Sequence, residues 1–263
     1  MGDFIHILQG TMEEPEVISW YHFFVLIPII AGAILLPLFF KNVKEKTYKR
    51  ILLIFWIVLI VLEVFKQLIK AYHHGDPSYW EQSYKDFPFQ MCSMIYYFLP
   101  IIIFVNKEKH PRIVDAAIGY MSFICLMTGT VVCVYTKMAT SSLIYINVQT
   151  FIHHGSLVVL GVFIFVWNRK SITIKTFYRC LIAFAITVVI AILINLAYHP
   201  HFINMFFINP MIITNLPIGN VVQEKAGHPV FLIGFLSLIV LAIFLTYLVE
   251  TSIYKAMTKK AKS

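Results

Sequence analysis

The chain has 263 residues, of which 59% are hydrophobic and only 13% charged, and its mean hydropathy is +0.79. A soluble globular domain carries about 25% charged residues, so this composition excludes a soluble class and leaves an integral membrane protein, with length for one bundle of six to eight helices. The net charge of +8 does not indicate a nucleic-acid partner, because the basic residues sit in short connections between apolar runs, which is the topology signal of a polytopic membrane protein.

Seven apolar runs, each near the roughly 20 residues needed to cross a bilayer, cover about 20–40, 51–72, 88–105, 112–134, 144–167, 176–198 and 229–250. Residues 1–19 carry Asp3, Glu13, Glu14 and Glu16 but no Lys or Arg, the opposite of a cleavable signal peptide. The first connection holds Lys41, Lys44, Lys46, Lys49 and Arg50, the third Lys107, Lys109 and Arg112, and the fifth Arg169, Lys170 and Lys175, while the tail holds Lys255, Lys259, Lys260 and Lys262. The alternate connections hold only Lys85, Lys137 and Lys225. Lys and Arg favour the cytoplasmic side. The expected fold is therefore all-α, a polytopic protein of the cell membrane with seven transmembrane helices, its N-terminus outside and its C-terminus cytoplasmic. Its expected parts are an extracellular segment 1–19, a transmembrane domain 20–250 and a basic cytoplasmic tail 251–263.

In this topology the polar residues gather in the outer half of the membrane. On the second run, Glu63, Lys66 and Lys70 are three and four residues apart and share one helix face. An intramembrane ionisable residue is a functional-site hypothesis by default, with a structural ion pair as the alternative for Glu63 and Lys66 and snorkelling for Lys70. The third run begins near Pro88 and places Cys92 about one turn inside. Helix N-termini favour a thiolate, and nearby amides can stabilise an oxyanion. The fifth run carries His153 and His154 two to three turns inside. Adjacent helical positions point about 100° apart, so at most one is expected to face a given partner, and an interhelical hydrogen bond is the structural alternative. Gly155 permits close packing beside them.

The other cysteines, Cys125, Cys133 and Cys180, read as small hydrophobes. None of the four forms a C-x-x-C pair, so neither a zinc knuckle nor a disulfide framework is indicated. The outer-face histidines His73, His74, His199, His201 and His228 lack the spacing of a helical metal site, and no H-E-x-x-H occurs. Neither a metal nor another cofactor is expected, with zinc on these loop histidines as the alternative. The last outer connection, about 199–228, is broken by Pro200, Pro210, Pro217 and Gly219 yet apolar in its middle. It reads as a loop with re-entrant pieces covering a cavity open to the outer face.

The block Phe87-Pro88-Phe89-Gln90-Met91-Cys92-Ser93 resembles the Leu-Pro-Leu-x-Leu-Cys-Ser hallmark of the YwaF-like integral membrane family, whose vertebrate relatives include a transmembrane phospholipid acyltransferase. Leu62-Glu63-Val64-Phe65-Lys66-Gln67 is similar to that family's acidic-plus-basic pattern, and Gln149-Thr150-Phe151-Ile152-His153-His154-Gly155 resembles its histidine element. The likeness covers roughly residues 20–250. It departs at Gln90, where many members carry histidine, and in the late Asn-Tyr element, echoed only by Asn195, Tyr198, Asn204 and Asn209. The resemblance implies a nucleophile at Cys92 and a histidine base, best matched by His154 with His153 as the alternate.

The function expected is acyl transfer between membrane phospholipids through a Cys92 thioester. Glu63 and Lys66 would orient the histidine or bind the head group, and Gln90 or Ser93 would donate to the oxyanion. The rival is a non-enzymatic transporter or membrane binding protein using the Glu63–Lys66 pocket. The enzyme needs sulfur and imidazole nitrogen within about 4 Å, and the transporter needs a polar path to the cytoplasmic side.

Overall fold

The computed structural model describes residues 2–14, 20–73, 79–80, 86–198, 203–214, 216 and 218–260. A short helix α1 (Gly2–Leu8) precedes α2 (Trp20–Phe40) and α3 (Glu45–Ala71). A 3-10 turn (Cys92–Met94) leads into α4 (Ile95–Phe104). Helices α5 (Pro111–Gly119) and α6 (Leu126–Val134) are joined by a π-helical stretch, Tyr120–Cys125. Then come α7 (Ile144–Asn168), α8 (Ile174–Ala197), the short α9 (Gly219–Ala226) and the long α10 (His228–Lys260). The β pairing among the described residues is a two-residue antiparallel ribbon, Tyr72–His73 against Tyr79–Trp80, and an isolated antiparallel bridge between Thr11 and Leu143.

Among the described residues, six helices are long and apolar enough to cross a membrane: α2, α3, the continuous Pro111–Val134 unit, α7, α8 and α10. The third expected span differs. Its helix covers only Cys92–Phe104, about 20 Å at 1.5 Å per residue, against a hydrocarbon core of about 30 Å. Pro88 disfavours helical geometry in the residue before it, and residues 87–91 run as turns and bends. Non-helical backbone at membrane depth is tolerated where it lines a cavity within protein, and this segment does. Helix α10 also runs on through the expected start of the tail, to Lys260.

Helix α7 is the axis of the bundle. It packs against α2, α3, α6 and the π-helical stretch, and it carries small and polar residues where its neighbours approach. A Cβ at Gly129 of α6 would lie 2.7 Å from the His154 carbonyl oxygen and 2.7 Å from Leu157 Cβ. One at Gly155 would meet only the Ile29 side chain, at 2.7 Å. Around the axis, Leu59, Ile95, Leu99, Leu160 and Phe163 are buried, and Phe98 stacks on Tyr120 at 4.1 Å. By contrast α2 and α10 present most of their apolar surface outward, as helices in lipid do.

The N-terminal segment is tied down. Ile5 is buried against Ile69 and Tyr72, and Gln9 donates to the carbonyls of Ile69 (2.9 Å) and Tyr72 (2.6 Å). At the opposite end of α3, a cavity of about 800 Å³ is lined by Lys49, Asn106, Lys107, Trp167, Lys170 and Ser171. Three basic connections thus meet at one end of the bundle, with α4 reaching it despite its shortness.

A methyl at Gly129 presses on backbone, which moves as a unit, whereas one at Gly155 presses on a side chain that can rotate. Gly129→Ala is expected to destabilise by about 1–3 kcal/mol and more than Gly155→Ala, as read from thermal unfolding in detergent.

Candidate functional site

The site sits where α3, the start of α4 and α7 converge at the end of the bundle away from the basic connections. Its centre is Glu63, on α3 and buried to 6% exposure. Lys66 Nζ lies 2.7 Å from its Oε1, and Gln67, one turn on, donates to the same oxygen at 2.7 Å. Oε2 accepts from the Tyr96 hydroxyl at 3.1 Å and from Gln149 Nε2 at 3.4 Å. Both carboxylate oxygens are thus satisfied, as a buried charge requires, and donors from three helices converge on one side chain.

Tyr96 extends this network. Its hydroxyl lies 2.9 Å from His153 Nδ1. His154 is held differently. Its Nδ1 lies 2.8 Å from the Thr150 carbonyl oxygen, which can only accept. Nδ1 therefore carries the proton, and in the neutral ring the lone pair falls on Nε2. Adjacent helical residues point apart, yet both rings reach the same space, because the α4 lead-in sits over the groove between them. One ligand atom from each of Cys92, His153 and His154 lies within 4.8 Å of the others, in the range of a resting site. Of the described residues, these three are the group with metal-ligand character.

Two cavities meet at Cys92. The first, about 190 Å³, is polar and lined by Glu63, Lys66, Lys70, Ser93, His153 and His154 among others. The second, about 440 Å³, is apolar and lies between Met127, Val131 and Val132 of α6 and Phe235, Leu238 and Ala242 of α10. Cys92, Gln90, Ala139 and His154 line both.

The remaining sequence candidates take supporting positions. The Gln90 carboxamide donates to the Asn204 carbonyl (2.8 Å) and accepts from the Phe206 N–H (2.8 Å), which latches the last loop over the site. Asn195 clamps the same loop through both backbone groups of Met205, at 3.1 and 2.7 Å. These bonds hold Phe206 and Phe207 at positive φ, 58° and 61°, with Phe206 fully buried. The loop is thus a pinned cover, and both carboxamides that brace it are engaged there. Lys70, instead of only snorkelling, is paired with Asp86, and Gln67 donates to the Asp86 carbonyl. His74, His199 and His201 lie outside the described residues, and His228 faces Gln223 at 3.3 Å. Tyr96 carried no motif of its own, and Gln149 opened the histidine element without a role assigned to it. The signal that finds them is helical spacing: Tyr96 is four residues after Cys92, and Gln149 is four before His153.

The sequence profile of the TMEM164 family matches residues 17–248. No curated protein and no solved structure shows significant similarity to the chain.

Removing one partner of a buried ion pair costs about 3–5 kcal/mol, because the other charge is stranded. Lys66→Met is expected to lose stability of that order. The double change Glu63→Gln with Lys66→Met should recover most of it, as measured by unfolding in detergent. Additive losses in this double-mutant cycle would show that the two side chains do not interact.

Proposed function

The chain belongs to the TMEM164 family, and we propose that this member is a membrane-embedded acyltransferase that moves acyl chains between phospholipids through a thioester at Cys92. The observation that carries this reading is the meeting of a polar and an apolar cavity at one thiol with an imidazole beside it. A diacyl lipid has that shape: a polar head, an ester and an apolar chain, with the ester at the junction.

The steps follow from the groups present. His154 Nε2 takes the Cys92 proton. The sulfur attacks the ester carbonyl, the C–O bond breaks, and the departing lipid oxygen takes the proton from the imidazolium. An acceptor hydroxyl then gives its proton to His154 and attacks the thioester, and the C–S bond breaks to release the sulfur, which recovers the proton. Ser93, which lines the polar cavity with Cys92, would donate to the carbonyl oxygen as charge develops there. Gln90 is assigned to the loop latch instead, since both ends of its carboxamide are engaged. His153, tied to Tyr96, lines the polar cavity beside the thiol. Lys66 and Lys70 are balanced by Glu63 and Asp86, a net-neutral lining that suits a zwitterionic head group.

The site faces the outer leaflet in this reading. The 1–19 segment is outside, residues 20–250 form seven crossings with the short α4 as the third, and the chain beyond 250 is cytoplasmic. The grouping of Lys49, Lys107 and Lys170 around one cavity at the far end supports that orientation. Transport is disfavoured by the buried apolar layer of Leu59, Ile95, Leu99 and Leu160 between the two ends.

Purified protein in vesicles with a labelled-acyl phospholipid and an unlabelled lysolipid should transfer label. Cys92→Ala is expected to abolish transfer, and His154→Ala to slow it by about 10²–10⁴-fold, the ordinary worth of a positioned base. Ala242→Phe should shift donor preference toward shorter chains while short-chain donors remain active. Full transfer by Cys92→Ala would overturn the mechanism.

A further inference from the structure

The three groups around the thiol have a second chemistry. We propose that Cys92, His153 and His154 bind a zinc ion, with the fourth coordination position opening into the polar cavity.

The donor set is one thiolate and two imidazoles, a combination that suits zinc and that leaves a position for water or a substrate oxygen when supplied by three protein ligands. Bonds of about 2.3 Å to sulfur and about 2.0 Å to nitrogen place tetrahedral donors about 3.5 Å apart. The donors here lie within 4.8 Å of one another, so closing the site takes a contraction of about 1 Å, within reach of small side-chain rotations. The surrounding bonds also fit. Metal-bound histidines almost always give their other ring nitrogen to a carbonyl or carboxylate network. His154 Nδ1 is bonded to the Thr150 carbonyl, and His153 Nδ1 reaches Glu63 through the Tyr96 hydroxyl. Both rings therefore present Nε2 toward the metal position. On binding, a zinc–sulfur bond forms, the S–H bond breaks and the proton leaves to water through the polar cavity. The charge of the zinc–thiolate unit, a net single positive, lies beside the Glu63 carboxylate.

This differs from a site on the outer-loop histidines, and it stands apart from the acyl-transfer reading, since the same ligands bind an ion whether or not Cys92 carries an acyl group. Where both hold, the two uses of the sulfur exclude each other and zinc acts as a brake on the nucleophile.

Cobalt(II) titration of the metal-free wild-type protein in detergent tests the proposal directly. The expected result is one equivalent bound with a thiolate-to-cobalt charge-transfer absorption and tetrahedral visible bands, displaced by zinc. Cys92→Ser should lose the charge-transfer absorption, and Tyr96→Phe should weaken binding about tenfold by releasing the His153 ring. Because a site variant can fail to fold, zinc protection of Cys92 from maleimide labelling in the wild-type protein, located by peptide mass spectrometry, gives the same answer without one, with magnesium as the control. No charge-transfer absorption in the wild type, or one that survives in folded Cys92→Ser, overturns the proposal. So does labelling of Cys92 at the same rate with and without zinc. Acyl transfer measured on the same preparation keeps the two readings apart: transfer without metal binding sinks only the zinc site.

Discussion

A carboxylate buried among apolar helices organises this end of the protein. Glu63 accepts from Lys66, Gln67, Tyr96 and Gln149, so α3, the start of α4 and α7 are joined at one point. An unpaired charge there is very costly, and the helices must keep their relative register to avoid it. Through Tyr96 the same carboxylate fixes His153, whose ring has a nitrogen within 4.8 Å of the Cys92 sulfur. The geometry around the thiol is therefore inherited from a constraint one layer away.

A second constraint works from above. The backbone before α4 is non-helical, so Gln90 is free of helical geometry and can reach across to the loop after α8. That loop, braced by Gln90 and Asn195, places Phe206 under itself and Phe207 against the apolar cavity. The latch of the cover and the Cys92 thiol thus share one short segment, residues 90–92. The short α4 has a functional consequence: a full-length helix would carry Cys92 on a regular surface, whereas a turn that enters a 3-10 helix sets it between two cavities.

Much of this was legible in the chain. Long apolar runs and the alternation of basic connections locate the helices, because both follow from transfer energetics that act on each segment alone. The face shared by Glu63 and Lys66 follows from helical spacing, and so does their ion pair. The length of α4 was not legible, since hydropathy continues through Pro88 and Phe89 while the backbone does not. Gln90 read as an oxyanion donor because it neighbours Cys92 in sequence. Its actual partners are 114 and 116 residues away, a distance that no local pattern encodes. Tyr96 was missed for a related reason: tyrosine in an apolar helix reads as core, and its role depends on Glu63 arriving from another helix. The π-helical stretch and the contact of Gly129 with the His154 carbonyl likewise depend on packing between helices.

The central claim is that Cys92 carries the acyl group. The most direct measurement is intact-protein mass spectrometry after incubation with a phospholipid mixture, on wild type and Cys92→Ala. The account predicts an acyl-mass adduct on the wild type that maps to Cys92, is removed by neutral hydroxylamine and is absent from the variant. An adduct of equal yield on Cys92→Ala would contradict it. Absence of any adduct, together with lipid profiles that Cys92→Ala leaves unchanged in cells, would also contradict it and return the weight to the Glu63–Lys66 pocket as a binding site.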